Sequence, residues 1–145
     1  MVSVVKNFRH IGIVSSDISK SLSFYCDLLD FKIEKKSIEK PEFIKTILNL
    51  DYHVELETIK LSKDDQIYVE LLNYDKCGDL NLKKINDLGI THFALTIYDS
   101  VVLHKKIIDG GYKVLSKPIL NEEKTAKVFF AVAPDNVYIE LVEIL

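Results

Sequence analysis

An internal repeat limits the possible folds of this chain more than any other feature, because repeats reveal how a fold is assembled. The segments IYVELL, over Ile67–Leu72, and VYIELV, over Val137–Val142, agree in character at every position. They start 70 residues apart (137 − 67). Each contains one glutamate, Glu70 or Glu140, in an otherwise largely apolar run. The sequence therefore predicts two similar halves that end in similar strands.

A looser match lies near the start of each half. HIGIV begins at His10 and HFALT begins at His92. In both segments an aspartate follows the histidine by seven residues (17 − 10 and 99 − 92), as Asp17 and Asp99. Each half is thus predicted to begin with a histidine-bearing strand and to end with a glutamate-bearing strand.

Local patterns predict an α+β fold with a similar order of elements in both halves. Runs rich in Ile, Val, Tyr and Phe predict strands over 8–15, 31–38, 53–62 and 66–73, and over 90–98, 112–115, 126–133 and 137–143. Helices are predicted after Asp17 and Asp99, because an aspartate can cap the free amides of a first helical turn. The apolar positions at helical spacing predict the buried face of the first helix: Ile18, Leu22, Tyr25 and Leu29.

Two segments fall outside the repeat, 39–50 and 74–89. The apolar spacing within residues 39–50 predicts a short amphipathic helix, which could either cover a sheet edge or form a lid over a substrate. Residues 74–89 are expected to link the two halves, and the LxLxxIxxL pattern from Leu80 to Leu88 predicts another short helix. The polar loop 116–124 lies between strands, where substrate loops often occur.

Composition excludes several classes of function. The 145 residues suit a single domain over 1–145, and the net charge of −3 gives no basic surface for nucleic acid. Arg9 is the sole arginine. No run of about 18 apolar residues could span a membrane, and the N-terminal residues lack a secretion signal, so we expect a cytoplasmic protein. Cys26 and Cys77 are expected to be free, unreactive thiols.

The repeat places metal-binding residue types at matching positions of the two halves: His10, Glu70, His92 and Glu140. Because strand side chains alternate between faces, each glutamate lies on the face opposite its apolar neighbours. A carboxylate in such a strand is costly unless it is paired or bound to a cation. Two imidazoles and two carboxylates suit Zn, Ni, Co or Mn, and an octahedral ion would keep about two positions for water or substrate.

The metal-site hypothesis rests on the similarity of the two halves. A single histidine or glutamate in a strand is more often a structural or solvated residue than a metal ligand. The recurrence of both residue types at matching places in both halves favours a shared role. His53 and His104 have no partner in the repeat and are expected at the surface.

Three segments of the sequence resemble the vicinal oxygen chelate superfamily: HIGIVSSDISKSLSFYCDLLDFKI, ITHFALTIYDS and APDNVYIELVEIL. This superfamily includes glyoxalase I, methylmalonyl-CoA epimerase, extradiol dioxygenases, and fosfomycin- and bleomycin-resistance proteins. The resemblance implies two βαβββ modules, about 5–75 and about 88–145, that form a curved, incomplete β-barrel around one divalent metal. It implies that the metal ligands are His10, Glu70, His92 and Glu140. It also implies a homodimer, with the metal site inside one chain or shared between two.

A glutamate at position 70 resembles the glyoxalase I and methylmalonyl-CoA epimerase branch. That resemblance implies an isomerase, epimerase or lyase that removes a proton next to a carbonyl of a small oxygenated substrate, through a metal-stabilised enediolate or enolate. Glu70 and Glu140 are both candidates for the catalytic base, and their roles stay open. A glutathione-dependent enzyme is disfavoured, because Arg9 is the sole arginine available to hold the glutathione carboxylates.

Two other functions stay open. One is a metal-free module that binds a small molecule or an antibiotic, which the intact set of four ligands disfavours. The other is an Fe(II) dioxygenase, in which Glu70 would not be a ligand.

Overall fold

The computed structural model describes residues 4–80 and 82–145, and the chain divides into two compact units. The units are Met1–Gly78 and Asp79–Leu145. Their boundary falls within segment 74–89, which the sequence predicts as the link between the halves.

The first unit has the order βαβββ, with one additional helix. Its elements are β1 (Ile11–Val14), α1 (Ile18–Leu22) continued by a π-helical turn (Ser23–Leu28), β2 (Lys32–Glu39), α2 (Pro41–Ile47), β3 (Leu56–Lys63) and β4 (Gln66–Tyr74). The strands form one sheet in the order β1-β4-β3-β2. β1 pairs in parallel with β4, and the other neighbours are antiparallel.

Helix α1 begins where the sequence predicts, because the Asp17 carboxylate accepts a hydrogen bond from the Lys20 amide. Its buried face differs from the predicted one. Tyr25 is buried as expected, but Phe24 and Leu28 are buried as well. The buried positions Ser21, Phe24, Tyr25 and Leu28 keep the helical spacing of three and four residues, so the buried face is shifted by about one position from the predicted one.

One face of the first sheet forms the core of the unit. Val69 and Leu71 in β4 are fully covered, as is Leu61 in β3. Full burial of such a side chain stabilises the folded state by roughly 1.5–3 kcal/mol. Alternation then turns Glu70 to the opposite face, as predicted.

Helix α2 confirms the helix predicted within 39–50 and packs on the Glu70 face of the sheet. Its Ile44 is buried in a cluster with Leu56, and Leu72 and Tyr74 pack against that cluster. Leu72 and Tyr74 follow Glu70 at steps of two residues in β4, so they share its face. The segment therefore covers part of the sheet face that bears Glu70.

The second unit repeats the order without a counterpart of α2. Its elements are β5 (His92–Ile97), α3 (Ser100–Asp109), β6 (Lys113–Val114), β7 (Ile119–Leu120), β8 (Ala126–Ala133), a 3₁₀ turn (Pro134–Asn136) and β9 (Val137–Ile144). The strand order is β5-β9-β8-β6, and β7 also pairs with β8. β5 is parallel to β9, as β1 is to β4.

Helix α3 is fixed at its N-terminal end by polar groups. The Asp99 carboxylate accepts hydrogen bonds from the amides of Val101 and Val102. At the same end, Glu143 of β9 accepts from the amide and hydroxyl of Ser100. These contacts satisfy amides that have no partner inside the helix and fasten α3 to its sheet.

Some boundaries depart from the prediction. Within the predicted strand 8–15, only Ile11–Val14 forms a strand. Within the predicted strand 112–115, only Lys113–Val114 does. The predicted loop 116–124 contains the short strand β7.

The helix predicted over the LxLxxIxxL pattern is wrong. The described residues of that segment form turns and irregular backbone. Leu80, Leu82 and Leu88 are exposed within the chain, so the apolar pattern has no surface here on which to pack as a helix.

No helix in the described parts of the chain is long and apolar enough to cross a membrane.

Replacing Glu143 with Gln should destabilise the second unit in a pH-dependent way. The side-chain and backbone hydrogen bonds from Ser100 lower the pKa of Glu143, and Lys127 adds to this. A lowered carboxyl pKa stabilises the fold fully above the unfolded pKa of about 4.3 and less as the pH falls through the folded pKa. The difference in thermal midpoint between wild type and Glu143→Gln should therefore be largest near neutral pH and shrink below about pH 4. A difference independent of pH would contradict this origin.

Candidate metal centre

The first unit brings His10 and Glu70 together. His10 lies one residue before β1, and β1 runs parallel to β4 with Gly12 opposite Glu70. His10 Nε2 is 2.9 Å from Glu70 Oε2, and the two side chains are 22% and 16% exposed. The imidazole and the carboxylate thus form a contact at the partly covered face of the sheet.

The second unit brings His92 and Glu140 together in the same way. Ala94 lies opposite Glu140 in the parallel pair of β5 and β9. His92 Nε2 is 3.5 Å from Glu140 Oε2. The other imidazole nitrogen, Nδ1, is 2.9 Å from the hydroxyl of Thr91. A partner on Nδ1 orients the ring and directs Nε2 towards the carboxylate.

Both pairs obey one register rule. In each unit the glutamate faces the residue two positions after the histidine, and that residue is small, Gly12 or Ala94. A Cβ atom at Gly12 would lie 3.4 Å from Leu72 Cδ1, so a larger side chain there would crowd the Glu70 face. The small residues leave the space beside each carboxylate free.

The chemistry of the two pairs suits a divalent metal. Each offers one imidazole nitrogen and one carboxylate oxygen, which are ligands for borderline divalent cations. Both glutamates lie beside a group that can carry positive charge, so their carboxylates are already placed for contact with a cation. Among the residues that the structure describes, however, no group of three or more His, Cys, Asp or Glu side chains is positioned to hold a metal ion. Each unit supplies two donors, and the site of four ligands stays a prediction.

The surroundings of the two glutamates differ, which the repeat did not predict. Lys60 in β3 faces Glu70, and its Nζ lies 3.8 Å from Glu70 Oε1. At the matching place in the second unit, Phe130 of β8 faces Glu140. Its ring meets the His92 ring edge to face, with 5.1 Å between centroids. Pairing the β3 and β4 segments by sequence could have revealed Lys60, but a β-bulge next to Leu61 shifts that register.

A groove of about 410 Å³ runs beside the first pair. Arg9 and His10 both line it, together with Lys60. Strand alternation would turn Arg9 away from the face that carries His10. That inference does not hold here, because β1 begins only at Ile11 and residues 9 and 10 precede the regular strand.

Tyr74 adds a phenol to the Glu70 face. Burial raises the pKa of Tyr74, and the nearby Tyr52 and Glu70 raise it further. Tyr74 is therefore a neutral hydrogen-bond donor on the side of the sheet that bears Glu70.

The remaining histidines and cysteines lie outside these pairs. His53 is exposed, as predicted. The prediction for His104 is wrong, because its ring packs 5.4 Å from Phe129 and its Nε2 is buried without a hydrogen-bond partner. It lies one turn before the fully buried Ile107, on a helix flank that the sheet covers. Cys26 and Cys77 are free thiols, as predicted.

Comparison with known proteins places the chain in a family. The model of the Glyoxalase/Bleomycin resistance protein/Dioxygenase superfamily matches residues 7–141. The chain belongs to this superfamily. A Synechocystis protein named "Probable lactoylglutathione lyase" is 30% identical over 135 residues, which are 92% of this chain and 92% of that protein.

Solved structures of the superfamily show the same fold. A glyoxalase family protein from Bacillus cereus superposes with a TM-score of 0.82 at 17% identity, over 100% of this chain and 99% of that one. Glyoxalase I of Leishmania major, described as trypanothione-dependent, superposes with a TM-score of 0.65 at 22% identity, over 96% of this chain and 87% of that one. A fosfomycin resistance protein from Listeria monocytogenes superposes with a TM-score of 0.66 at 14% identity, over 95% of this chain and 93% of that one. The predicted glyoxalase fold is thereby confirmed.

Thr91→Val should weaken metal binding without unfolding the protein. Valine keeps the shape of threonine but removes the hydroxyl that holds His92 Nδ1, and loss of such a partner lowers metal affinity by roughly tenfold or more. Affinity for zinc measured by competition with a chelator tests this. Thr46→Val, which removes an exposed hydroxyl on α2, is the control. Equal zinc affinities of the two variants would rule out an orienting role for Thr91.

Proposed function

We propose that this member of the glyoxalase superfamily is a metal-dependent lyase or isomerase of the glyoxalase and epimerase type, which removes a proton next to a carbonyl. The observation that carries the proposal is the matched contact of His10 with Glu70 and of His92 with Glu140. Such a match is expected if both halves serve one centre, and it has no evident purpose in the stability of either sheet.

We propose His10, Glu70, His92 and Glu140 as the ligands of one divalent ion, with Zn, Ni, Co or Mn the candidates. The bound ion would supply Lewis-acid stabilisation of negative charge that develops on a substrate oxygen. The side chains hold their own orientation: Thr91 fixes the ring of His92, and the small residues Gly12 and Ala94 keep the carboxylates accessible.

The surroundings of the two carboxylates favour Glu140 for proton transfer. Glu70 contacts both His10 and Lys60, so its negative charge is shared between two potential cations. Among the residues that the structure describes, Glu140 forms an ion pair only with His92. It faces Phe130, and it is more exposed than Glu70, at 29% against 16%. A carboxylate with fewer contacts of this kind is freer to approach a substrate carbon and act as the base.

We further propose that the protein acts as a homodimer on a small oxygenated substrate. The single domain over 1–145 and its assembly stay predictions, as does the choice between a metal site inside one chain and one shared between two. The name of the Synechocystis relative makes the hemithioacetal of glutathione one substrate to test, beside 2-oxo, 2-hydroxy and acyl-CoA compounds.

The purified protein should bind about one divalent metal ion per chain, and His92→Ala should lose it, because one of two imidazole ligands is removed. Elemental analysis after dialysis measures this. His53→Ala is the matched control, since the exposed His53 lies outside both pairs. No metal in the wild type after reconstitution would favour a metal-free binding protein. Iron, with activity lost in air, would favour a dioxygenase.

Glu140→Gln should slow proton abstraction by between about one hundredfold and ten thousandfold, because the amide cannot accept the proton. The measurement is incorporation of solvent deuterium at a substrate carbon in heavy water, across the panel of compounds above. Glu55→Gln, at a glutamate whose side chain is 71% exposed beside His53, should exchange at the wild-type rate. Unchanged exchange in Glu140→Gln would remove Glu140 from the proton transfer, and no exchange in the wild type on any compound would remove the proposed reaction.

A further inference from the structure

A row of four residues crosses the first sheet at the level of the predicted ligand Glu70. Lys35 in β2 faces Lys60 in β3, Lys60 faces Glu70 in β4, and Glu70 faces Gly12 in β1. Residues directly opposite each other in neighbouring strands share a face of the sheet. The Glu70 face thus carries two lysines in adjacent strands beside one carboxylate.

The row places two positive charges in facing positions, and an anion bound beside them would reduce their repulsion. Like charges directly opposite each other destabilise a sheet. Lys60 is only 23% exposed, and Glu70, the carboxylate with which it forms an ion pair, is shared with His10. Among residues 4–80 and 82–145 no carboxylate forms an ion pair with Lys35. Glu39 lies on the same face, but it is four residues along β2 from Lys35, or about 13 Å. Its carboxylate accepts a hydrogen bond from Thr58.

The groove beside the row adds further positive charge and hydrogen-bond donors. Lys60 lines it with Arg9, the sole arginine of a chain whose net charge is −3. The side-chain amides of Asn7 and Gln66 also line it, against a single carboxylate, Asp65. A divalent metal on Glu70 would take up the carboxylate that now lies beside Lys60, and the excess of positive charge would then increase.

The second unit lacks this charge. At the matching level of its sheet, Phe130 faces Glu140, Glu140 faces Ala94, and the Leu115 amide donates to the carbonyl of Phe130. The row is apolar apart from the glutamate. The cations are therefore a property of the first unit alone and do not follow from the repeat.

We propose that Lys60, with Lys35 and Arg9 beside it, binds an acidic group of the substrate, a carboxylate or a phosphate, next to the His10 and Glu70 pair. This inference rests on the proposed function, since it places the acidic group beside the proposed metal ligands. It narrows the substrate to a compound with an anionic end. Lys60 is a substrate-binding residue in this account and takes no part in proton transfer.

Calorimetric titration of the protein as purified with inorganic phosphate, and separately with glutarate, tests the proposal. Wild type should bind at least one of the two anions. Lys60→Met should bind it roughly tenfold more weakly, the effect of losing one charge-assisted hydrogen bond, whereas Lys60→Arg should retain it. Lys35→Met should show a smaller loss in the same direction. Lys113→Met, at an exposed position in β6, is the control and should bind as wild type does. Thermal unfolding and metal content verify that each variant is folded and equally loaded.

Tighter binding of phosphate would indicate a phosphorylated substrate, and tighter binding of glutarate a carboxylic acid. Equal affinities of wild type and Lys60→Met for both anions, or no binding of either anion to the wild type, would overturn the proposal. The titration needs no turnover. The two proposals can therefore fail separately. The deuterium exchange tests the proposed reaction, and the calorimetric titration tests the anion site.

Discussion

The parallel pairing of the first and last strands within each unit is the constraint on which the site depends. It sets Glu70 opposite Gly12 and Glu140 opposite Ala94, so that the histidine two residues earlier reaches the carboxylate. The pairing is stable because the opposite faces of β4 and β9 are buried against their helices. A slip of one residue would expose that core and bury the glutamates, so the core also holds the polar contact in place.

The two halves share a backbone plan but not a chemical environment. The first half surrounds its pair with Lys60, a groove lined by Arg9, and a helix packed on the same face. The second half has Phe130 in the place of Lys60 and no counterpart of α2. If one metal takes ligands from both halves, as we propose, the ligands are retained while the residues around them differ. The charged neighbours Lys60 and Arg9 lie in the first half, and the apolar neighbour Phe130 lies in the second.

Sequence patterns predicted the elements whose residues face one core, because a period of two fixes the faces of a strand. They also singled out His10, Glu70, His92 and Glu140, but the contacts within each half became evident only from the structure. The sequence patterns failed where tertiary packing, which a local pattern does not contain, decides which side chains are buried. The sheet covers Phe24 and Leu28, beside the predicted Tyr25 and Leu29, because tertiary packing selects which side of an apolar helix faces inward. The apolar residues around Leu82 have no surface on which to form a helix. His104 looked like a surface residue because nothing near it in the chain indicates the Phe129 ring. Lys60 was missed because its importance arises only from the register of β3 against β4.

X-ray absorption at the metal edge of the zinc-loaded protein shows whether the two pairs hold one cation together, as we propose. We expect a first shell of nitrogen and oxygen with the scattering of two imidazoles per zinc, reduced to one imidazole in His10→Ala. A shell that contains sulfur from Cys26 or Cys77, or one that keeps both imidazoles when His10 is removed, would exclude a cation shared by the two pairs.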